Sequence, residues 1–412
     1  MELLAPAGGF SQLKAAIDFG ADAVYLAADK FGMRARATNF CLEDIARAVS
    51  IAHERGVKVY VTCNIVMTDD DIAQLPQYFE TLDGALVDGL IISDLGALSL
   101  AKKYAPHCEY HVSTQASVTN VEAALVWYEL GARRVVCARE MSLEQIAAFK
   151  AKLPKDMLVE VFVHGSMCMA VSGRCLISSY LTGRSGNRGH CTQPCRWMYA
   201  LEEEKRPGQF FPIEEDERGT FIMNAQDLNM LDHIADLKAA GVDSIKIEGR
   251  NKKAFYVATV VNAYRQVLDG KDSQLFQEEL LSVSHRPYST GFYYGPAHQT
   301  TTMDGYEQST LHVASVVKCE QTTKDKWDIE LECHNRFEIN KPLEAIIAHA
   351  DPLHFSIDTL YWLKKSEDGN IFPVEVDVAN RAMERYSFQF SQEIPEGSFI
   401  RVRENKVTSR YL

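Results

Sequence analysis

The chain has 412 residues, of which 46% are hydrophobic, so it is long enough for two domains with ordinary globular cores. A formal net charge of −13 at pH 7 argues against a protein that coats nucleic acid nonspecifically, although a local basic patch can still contact one RNA. The first residues carry no basic leader, and no apolar run approaches the ~20 residues of a membrane span. These features predict a cytoplasmic protein with no membrane contact. Its ten cysteines are therefore expected to be reduced thiols or metal ligands.

A repeated unit occupies roughly the first 270 residues, in which an amphipathic helix ends at a glycine and a short apolar strand follows. Four copies are FGADAVYLA (19–27), RGVKVYVTC (55–63), LGARRVVCA (130–138) and AGVDSIKIE (240–248). In each copy the glycine is predicted to be the left-handed residue that ends the helix.

The unit predicts eight strands separated by helices. The strands are predicted at 3–5, 23–26, 58–63, 90–93, 110–113, 135–138, 158–163 and 244–247, with helices such as 10–19, 42–54, 71–82, 121–130, 143–153 and 228–239. This alternation predicts an α/β fold, a TIM-type (β/α)8-like barrel over residues 1–300. Periodicity alone leaves a doubly wound open sheet as the alternative.

The hydrophobic period changes from 3.6 to 2 after a last helix at 256–268. Trp327, Ile329, Leu331 and Cys333 alternate with charged or polar residues, and similar runs occur at 312–317, 374–378, 386–390 and 399–403. Residues 301–412 are therefore predicted to form a small antiparallel β-barrel or sandwich.

Four cysteines lie in a glycine-rich stretch that follows the seventh strand, within a predicted insertion at about 164–219. Cys168, Cys175, Cys191 and Cys195 have the spacing C-x6-C-x15-C-x3-C, and residues 161–201 contain four arginines but no Asp, Glu or Lys. Zinc sites usually use C-x2-C pairs, whereas iron–sulfur ligand spacings vary more widely. A four-iron four-sulfur cluster is the favoured interpretation, zinc is the second, and four small buried side chains are the third.

The residues around these cysteines resemble a known signature. The chain reads Glu160-x-Phe162-x-x-Gly165-Ser166-Met167-Cys168 and then Gly173-x-Cys175-x-Ile177-Ser178, with ELLAPAG at the start, GADAVYL in the second unit and SIKIEGR at 244–250. It is similar in these features to the peptidase U32 (collagenase-like) family, over roughly the first 300 residues. The branch that it resembles is the bacterial tRNA hydroxylation proteins.

The resemblance implies a reaction and its partners. It implies oxygen-independent hydroxylation of the wobble uridine of tRNA to 5-hydroxyuridine by an iron–sulfur protein, with prephenate as a co-substrate. The arginines Arg184, Arg188 and Arg196 are candidates for contacting the anticodon region, and Trp197 or Tyr199 for stacking an unpaired base. The sequence carries no signal for an oligomeric state.

Polar residues at the strand ends are predicted to converge on the C-terminal mouth of the barrel. They are Asn64, Asp94, Gln115, Arg139, Glu140, His164, Glu248 and Arg250. The site candidates among them are His164, Arg139, Arg250 and Glu248, and the two arginines are expected to bind a small carboxylate co-substrate through their guanidinium groups.

Two other function classes stay open. A U32-type peptidase would use His164 near Cys168, although a cysteine that ligates iron is not a free nucleophile. A zinc-stabilised RNA-binding scaffold is the third class.

Overall fold

The computed structural model describes residues 1–33, 39–167, 175–194, 197, 200–202, 210–212, 226–297, 306–366, 368 and 370–403. The first domain contains β1 (Glu2–Pro6), α1 (Phe10–Asp18), β2 (Ala23–Leu26), α2 (Leu42–His53), β3 (Lys58–Cys63), α3 (Asp69–Gly84), β4 (Gly89–Ile92), α4 (Leu95–Tyr104), β5 (Glu109–Val112), α5 (Val121–Glu129), β6 (Arg134–Val136), α6 (Leu143–Lys150) and β7 (Leu158–Ser166). It continues with α7 (Ile177–Thr182), β8 (Ala200–Glu202), β9 (Phe210–Pro212), β10 (Asp227–Asn229), α8 (Ile234–Ala239), β11 (Ser244–Ile247), α9 (Ala254–Leu268), α10 (Gln274–Ser282) and β12 (Tyr288–Ser289).

Eight parallel strands close into a barrel. Strands β1 to β7 pair in chain order, and β11 pairs with both β7 and β1. The barrel strands are almost entirely buried, because helices cover their outer faces and side chains fill the interior. The predicted TIM-type barrel is confirmed, and the open sheet is excluded because β11 has barrel partners on both sides.

The glycines of the repeated unit have the conformation that the sequence predicted. Gly20, Gly56, Gly131 and Gly241 have φ angles of 98°, 70°, 108° and 78°. A side chain is disfavoured at these angles, so glycine ends each helix and turns the chain into the next strand at the least steric cost.

One helix begins later than predicted. The sequence pattern predicted a helix over 228–239, but the chain first forms β10, then a 3-10 helix at Leu231–His233, and then α8. Strand β10 pairs antiparallel with the last residues of β7, which runs three residues beyond its predicted end, and parallel with β12. The local apolar pattern is compatible with both states, and these long-range pairings select the strand.

The C-terminal part is antiparallel β, as predicted. Its strands are β13 (Thr310–Thr323), β14 (Lys326–Cys333), β15 (Phe337–Glu338), β16 (Leu343–Ile346), β17 (Leu353–Phe355), β18 (Leu360–Lys365), β19 (Ile371–Val376), β20 (Val378–Ala379), β21 (Arg385–Phe390) and β22 (Phe399–Arg403). Eight of them form one sheet in the order β17-β16-β22-β13-β14-β21-β18-β19. Alternate residues such as Ile329, Leu331 and Cys333 face a separate apolar core.

A buried arginine joins the two parts. Arg401 is fully buried, and its guanidinium group donates to Glu279 and Ser282 of α10 and to Glu344 of β16, at 2.6–2.8 Å. The predicted boundary at 300/301 lies outside the described residues, as do the parts of the predicted insertion at 168–174, 195–196, 198–199, 203–209 and 213–219. Within the described ranges, every helix is too short or too polar to cross a bilayer.

Candidate active site

A small cavity of about 50 Å³ opens at the C-terminal mouth of the barrel. Five of the residues predicted to converge there do so: Asn64, Gln115, Arg139, Glu248 and Arg250. They come from the ends of β3, β5, β6 and β11, because parallel strands deliver their carboxyl ends to one face. The cavity is therefore where a barrel of this type holds a reacting group.

Two arginines give the cavity wall its positive charge. Arg250 is buried and donates to the Thr62 hydroxyl at 3.0 Å. Arg139 donates to the carbonyl oxygen of Ser166 at 2.9 Å, and its guanidinium carbon lies 4.1 Å from the centre of the Phe162 ring. These contacts fix the direction of each guanidinium group, which suits them to hold a planar anion.

A third cation in the wall, Lys246, was not predicted. Its ammonium group lies 3.0 Å from Glu160 below the cavity, and Glu160 also accepts from Arg134 at 2.8 Å. Burial alone would raise the pKa of Glu160, but Lys246 and Arg134 outweigh that effect and lower the pKa to about 2. Arg134 continues the network to Glu2 at the start of β1. A single lysine in the middle of the apolar strand SIKI was the available signal.

Two glycines allow the backbone that carries Glu248 and Arg250 to pass close to its neighbours. A Cβ atom on Gly8 would lie 2.1 Å from the carbonyl oxygen of Arg250. A Cβ atom on Gly165, whose φ is 95°, would lie 2.4 Å from the carbonyl oxygen of Glu248. Glycine is required at both positions for steric reasons.

His164 does not lie at the mouth, contrary to the prediction. Phe162 pairs with Lys246 and lines the cavity, but the next pair is His164 with Ile247, so Val163 is an extra residue in β7. This β-bulge interrupts the alternation that would put Phe162 and His164 on the same side.

The His164 ring instead packs outside the barrel wall. It lies among Tyr256, Tyr264 and Tyr288, with ring nitrogens 3.5 Å from the Tyr264 hydroxyl and 3.4 Å from the Tyr288 hydroxyl. Burial, with a smaller effect of His285, lowers the pKa of His164 to about 3. His164 is therefore a neutral ring at physiological pH.

Two further residues of the predicted mouth are not part of the described cavity wall. Asp94 caps α4, because its carboxylate accepts from the backbone N–H of Ala97 at 2.9 Å. Glu140 also lies outside the set of residues that line the cavity.

The cysteine-rich segment is described at Cys175 and Cys191, while Cys168, Cys195, Arg196 and Tyr199 lie outside the described residues. Both described thiols are partly exposed. The backbone N–H of Gln193 donates to the Cys191 sulfur at 3.3 Å, and the Asn187 amide donates to the carbonyl oxygen of Cys175 at 3.0 Å.

A clamp attaches this segment to the rim of the barrel. Arg188 donates to both carboxylate oxygens of Asp71, at 2.7 and 3.2 Å, and to the carbonyl oxygen of Val66 at 2.7 Å. The backbone N–H of Val66 donates to the carbonyl oxygen of Asn187 at 2.8 Å. Arg188 is consequently occupied by an ion pair within the protein, and Asn64, two residues before Val66, lines the cavity.

The donor chemistry of the described part of the segment is compatible with an anionic cluster. The Cys175 and Cys191 sulfur atoms are partly exposed and so accessible to iron, and an N–H group that points at the Cys191 sulfur stabilises negative charge there. The core thiols Cys108 and Cys137 are buried, which raises the pKa of each to about 12. In the described ranges no three potential ligands are gathered into a metal site, and two of the four predicted ligands fall outside those ranges.

The closed barrel, its charged cavity and a cysteine-bearing segment on the same rim define a TIM-barrel protein with an enzyme-type site. Residues 8–303 match the model of peptidase family U32, and the chain belongs to that family.

Three relatives illustrate the range of names within the family. The chain is 35% identical to tRNA hydroxylation protein P1 of Bacillus subtilis, over 97% of this chain and 94% of the relative. It is 33% identical to tRNA hydroxylation protein P of Escherichia coli, over 87% of this chain and 88% of the relative. It is 40% identical to an uncharacterized protease of Methanocaldococcus jannaschii, over 71% of this chain and 73% of the relative.

Proposed function

We propose that this protein hydroxylates RNA, and specifically that it converts the wobble uridine of tRNA to 5-hydroxyuridine. The observation that carries the proposal is the position of the clamped cysteine segment on the rim of the cationic cavity. Similarity to two tRNA hydroxylation proteins over almost the whole chain supports the choice of substrate.

The cavity is proposed to bind a small carboxylate co-substrate, for which prephenate is the candidate. The co-substrate would give its oxygen atom to C5 of the uridine and be reduced by two electrons as it takes up the hydrogen that C5 loses, so that the hydroxylation balances without O2. Arg139 and Arg250 would hold the carboxylate through their fixed guanidinium groups, and Lys246 would add positive charge. Glu248 is the only carboxylate among the described residues of the cavity wall. The wall therefore has an excess of positive charge that suits an anion.

Cys168, Cys175, Cys191 and Cys195 are proposed to hold one four-iron four-sulfur cluster. When bound, the cluster would supply one-electron transfer. The protein's own contribution is to hold the segment against the rim through Asp71 and Arg188 and to donate the Gln193 N–H group to sulfur.

Anaerobic purification tests the cluster. The protein should be brown, with iron and sulfide in stoichiometric amounts, and each single Ala substitution at the four cysteines should abolish the visible absorption. The control is Cys41→Ala, because Cys41 is an exposed thiol far from this segment in the chain. A colourless protein, or zinc in place of iron, contradicts the proposal.

Nucleoside mass spectrometry tests the reaction. In a strain that lacks every pathway to 5-hydroxyuridine, the wild-type gene should restore the nucleoside in bulk tRNA, and the Cys175→Ala gene should not. Arg139→Gln and Arg250→Gln should lower the yield while the cluster absorption persists. Wild-type holoprotein that fails to restore the nucleoside contradicts the proposal.

Peptidase activity is the alternative function, because the archaeal relative is named as a protease. The base that it would use, His164, is buried outside the barrel with both ring nitrogens near tyrosine hydroxyl groups. That position favours a packing role over proton transfer at the mouth. Hydrolysis of a peptide library by metal-free protein, lost in Cys168→Ala, would support the peptidase instead.

A further inference from the structure

The helix α7, between Cys175 and Cys191, is fixed on one side. Ser178 is buried, and its hydroxyl donates to the carbonyl oxygen of Arg184 at 2.7 Å and accepts from the N–H of Thr192 at 3.1 Å. Thr182 adds a contact of 3.2 Å between its hydroxyl and that of Thr192. These bonds hold the helix in one orientation against the chain that leads to Cys191.

The opposite side of α7 carries apolar side chains into solvent. Leu176, the residue before α7, is 70% exposed, and Tyr180 of α7 is 89% exposed. The N–H of Tyr180 donates to the carbonyl oxygen of Leu176 at 2.9 Å, so the helical spacing extends to Leu176 and the two side chains lie on one face. Trp197, farther along the same segment, is 46% exposed. Large apolar side chains presented together on a fixed helix indicate a binding surface.

The charge of the residues around this face indicates which class of partner binds there. Residues 161–201 contain no Asp, Glu or Lys, and Arg184 and His190 of this stretch are exposed. The protein as a whole is acidic, with a net charge of −13, so this stretch stands out from the rest of the chain. An exposed aromatic ring flanked by arginine is the combination that binds unpaired nucleotides, through base stacking and phosphate contact.

The segment that carries this face is attached beside the cavity. The side-chain amide of Asn187 donates to the carbonyl oxygen of Cys175, two residues before α7, and the carbonyl oxygen of Asn187 accepts from the N–H of Val66, which follows the cavity residue Asn64 by two positions. A nucleotide on α7 would therefore lie beside the rim over which the reacting base enters.

We propose that the face formed by Leu176 and Tyr180 is a stacking platform for an unpaired nucleotide of the RNA, next to the nucleotide that enters the cavity. The inference rests on the proposed RNA substrate and identifies how that substrate is held. The Tyr180 ring supplies the stacking surface, Arg184 neutralises a neighbouring phosphate, and the buried side of α7 holds the ring in place.

Binding of a fluorescent tRNA transcript to the full-length holoprotein tests the platform. Tyr180→Ala should weaken binding by roughly 5- to 150-fold, the usual effect of losing one base–aromatic stack, and Tyr180→Phe should bind within about twofold of wild type. Phe372→Ala is the matched control, since Phe372 is 53% exposed on β19 of the C-terminal sheet, and it should bind as wild type does.

The salt dependence of tRNA binding distinguishes the stacking contribution of Tyr180 from the charge contribution of Arg184. Plots of log Kd against log salt should be parallel for wild type and Tyr180→Ala, whereas Arg184→Ala should reduce the slope by about 0.7–0.9. On a blunt RNA duplex, which offers no unpaired base, Tyr180→Ala should have no effect.

Three outcomes overturn the platform. The first is unchanged tRNA binding by Tyr180→Ala, and the second is an equal loss of tRNA affinity in Tyr180→Ala and Tyr180→Phe. The third is a wild-type dimer that Tyr180→Ala dissociates, because a second copy of the chain would then cover the face. If wild type still restores 5-hydroxyuridine in these cases, only the platform is wrong. If wild type neither binds tRNA nor restores the nucleoside, the proposed function is also wrong.

Discussion

Asp71 and Arg188 are 117 residues apart in the chain, yet their side chains form a two-point ion pair at the rim of the barrel. Asp71 also accepts from the backbone N–H and hydroxyl of Thr68, so the first turn of α3 orients its carboxylate. The hydrogen bonds from Arg188 lower the pKa of Asp71 to about 2. The stabilisation is complete above the ordinary pKa near 3.8 and is lost as the pH falls through 2, so the clamp is charged at neutral pH.

Breaking the clamp should loosen the cysteine segment without unfolding the barrel. In metal-free protein, Arg188→Gln should raise the rate at which Cys175 and Cys191 react with an alkylating reagent by about fivefold, since a charge-assisted pair of this kind contributes about 1 kcal/mol. Arg184→Gln makes the same change in charge at an exposed position and should leave the rates unchanged. Equal rates in all three proteins would show that the clamp does not hold the segment.

A methyl group on Gly8 should displace the backbone of Arg250. The Cβ atom would lie 2.1 Å from the Arg250 carbonyl oxygen, and backbone cannot yield as a flexible side chain does. Gly8→Ala should lower the free energy of unfolding by about 1–3 kcal/mol in urea titrations and impair hydroxylation. Gly84→Ala is the control, because a Cβ there has nothing within 4 Å, and it should be neutral or slightly stabilising.

Removing the charge of Glu160 should destabilise the barrel interior. Lys246 and Arg134 would lose the carboxylate that they share, at distances of 3.0 and 2.8 Å, in a fully buried position. Glu160→Gln should lower the free energy of unfolding by about 3–5 kcal/mol. The exposed Glu129→Gln should change it by less than about 0.5 kcal/mol. Equal stabilities for the two variants would mean that the network is not important for folding.

The neutral His164 should make stability fall on the acid side of neutrality. The pKa of His164 is about 3 in the folded protein and near 6.5 in the unfolded chain, so the unfolded chain binds more protons between these pH values. The free energy of unfolding therefore decreases as the pH falls through this window. Between pH 7 and pH 5 this effect amounts to roughly 2 kcal/mol.

His164→Phe keeps the ring packing and removes the titration. The difference in unfolding free energy between wild type and this variant should therefore shift by that amount between pH 7 and pH 5. A difference that is constant with pH would contradict the assigned environment of His164.

Local sequence patterns were sufficient to predict the barrel, the antiparallel C-terminal part and five residues of the cavity wall. These features follow from local patterns: apolar periodicity selects helix or strand, Gly20 and its three counterparts end helices, and strand order delivers residues such as Arg139 and Arg250 to one face.

The directions and contacts of individual side chains depend on the folded chain as a whole and did not follow from local sequence patterns. The bulge at Val163 turned His164 away from the cavity, Asp71 paired with Arg188, and Glu160 paired with Lys246 of the cavity wall. The physical reason is that a one-residue shift in register, or an ion pair between distant segments, is set by packing across the folded chain. The local sequence pattern is the same whether or not such contacts form.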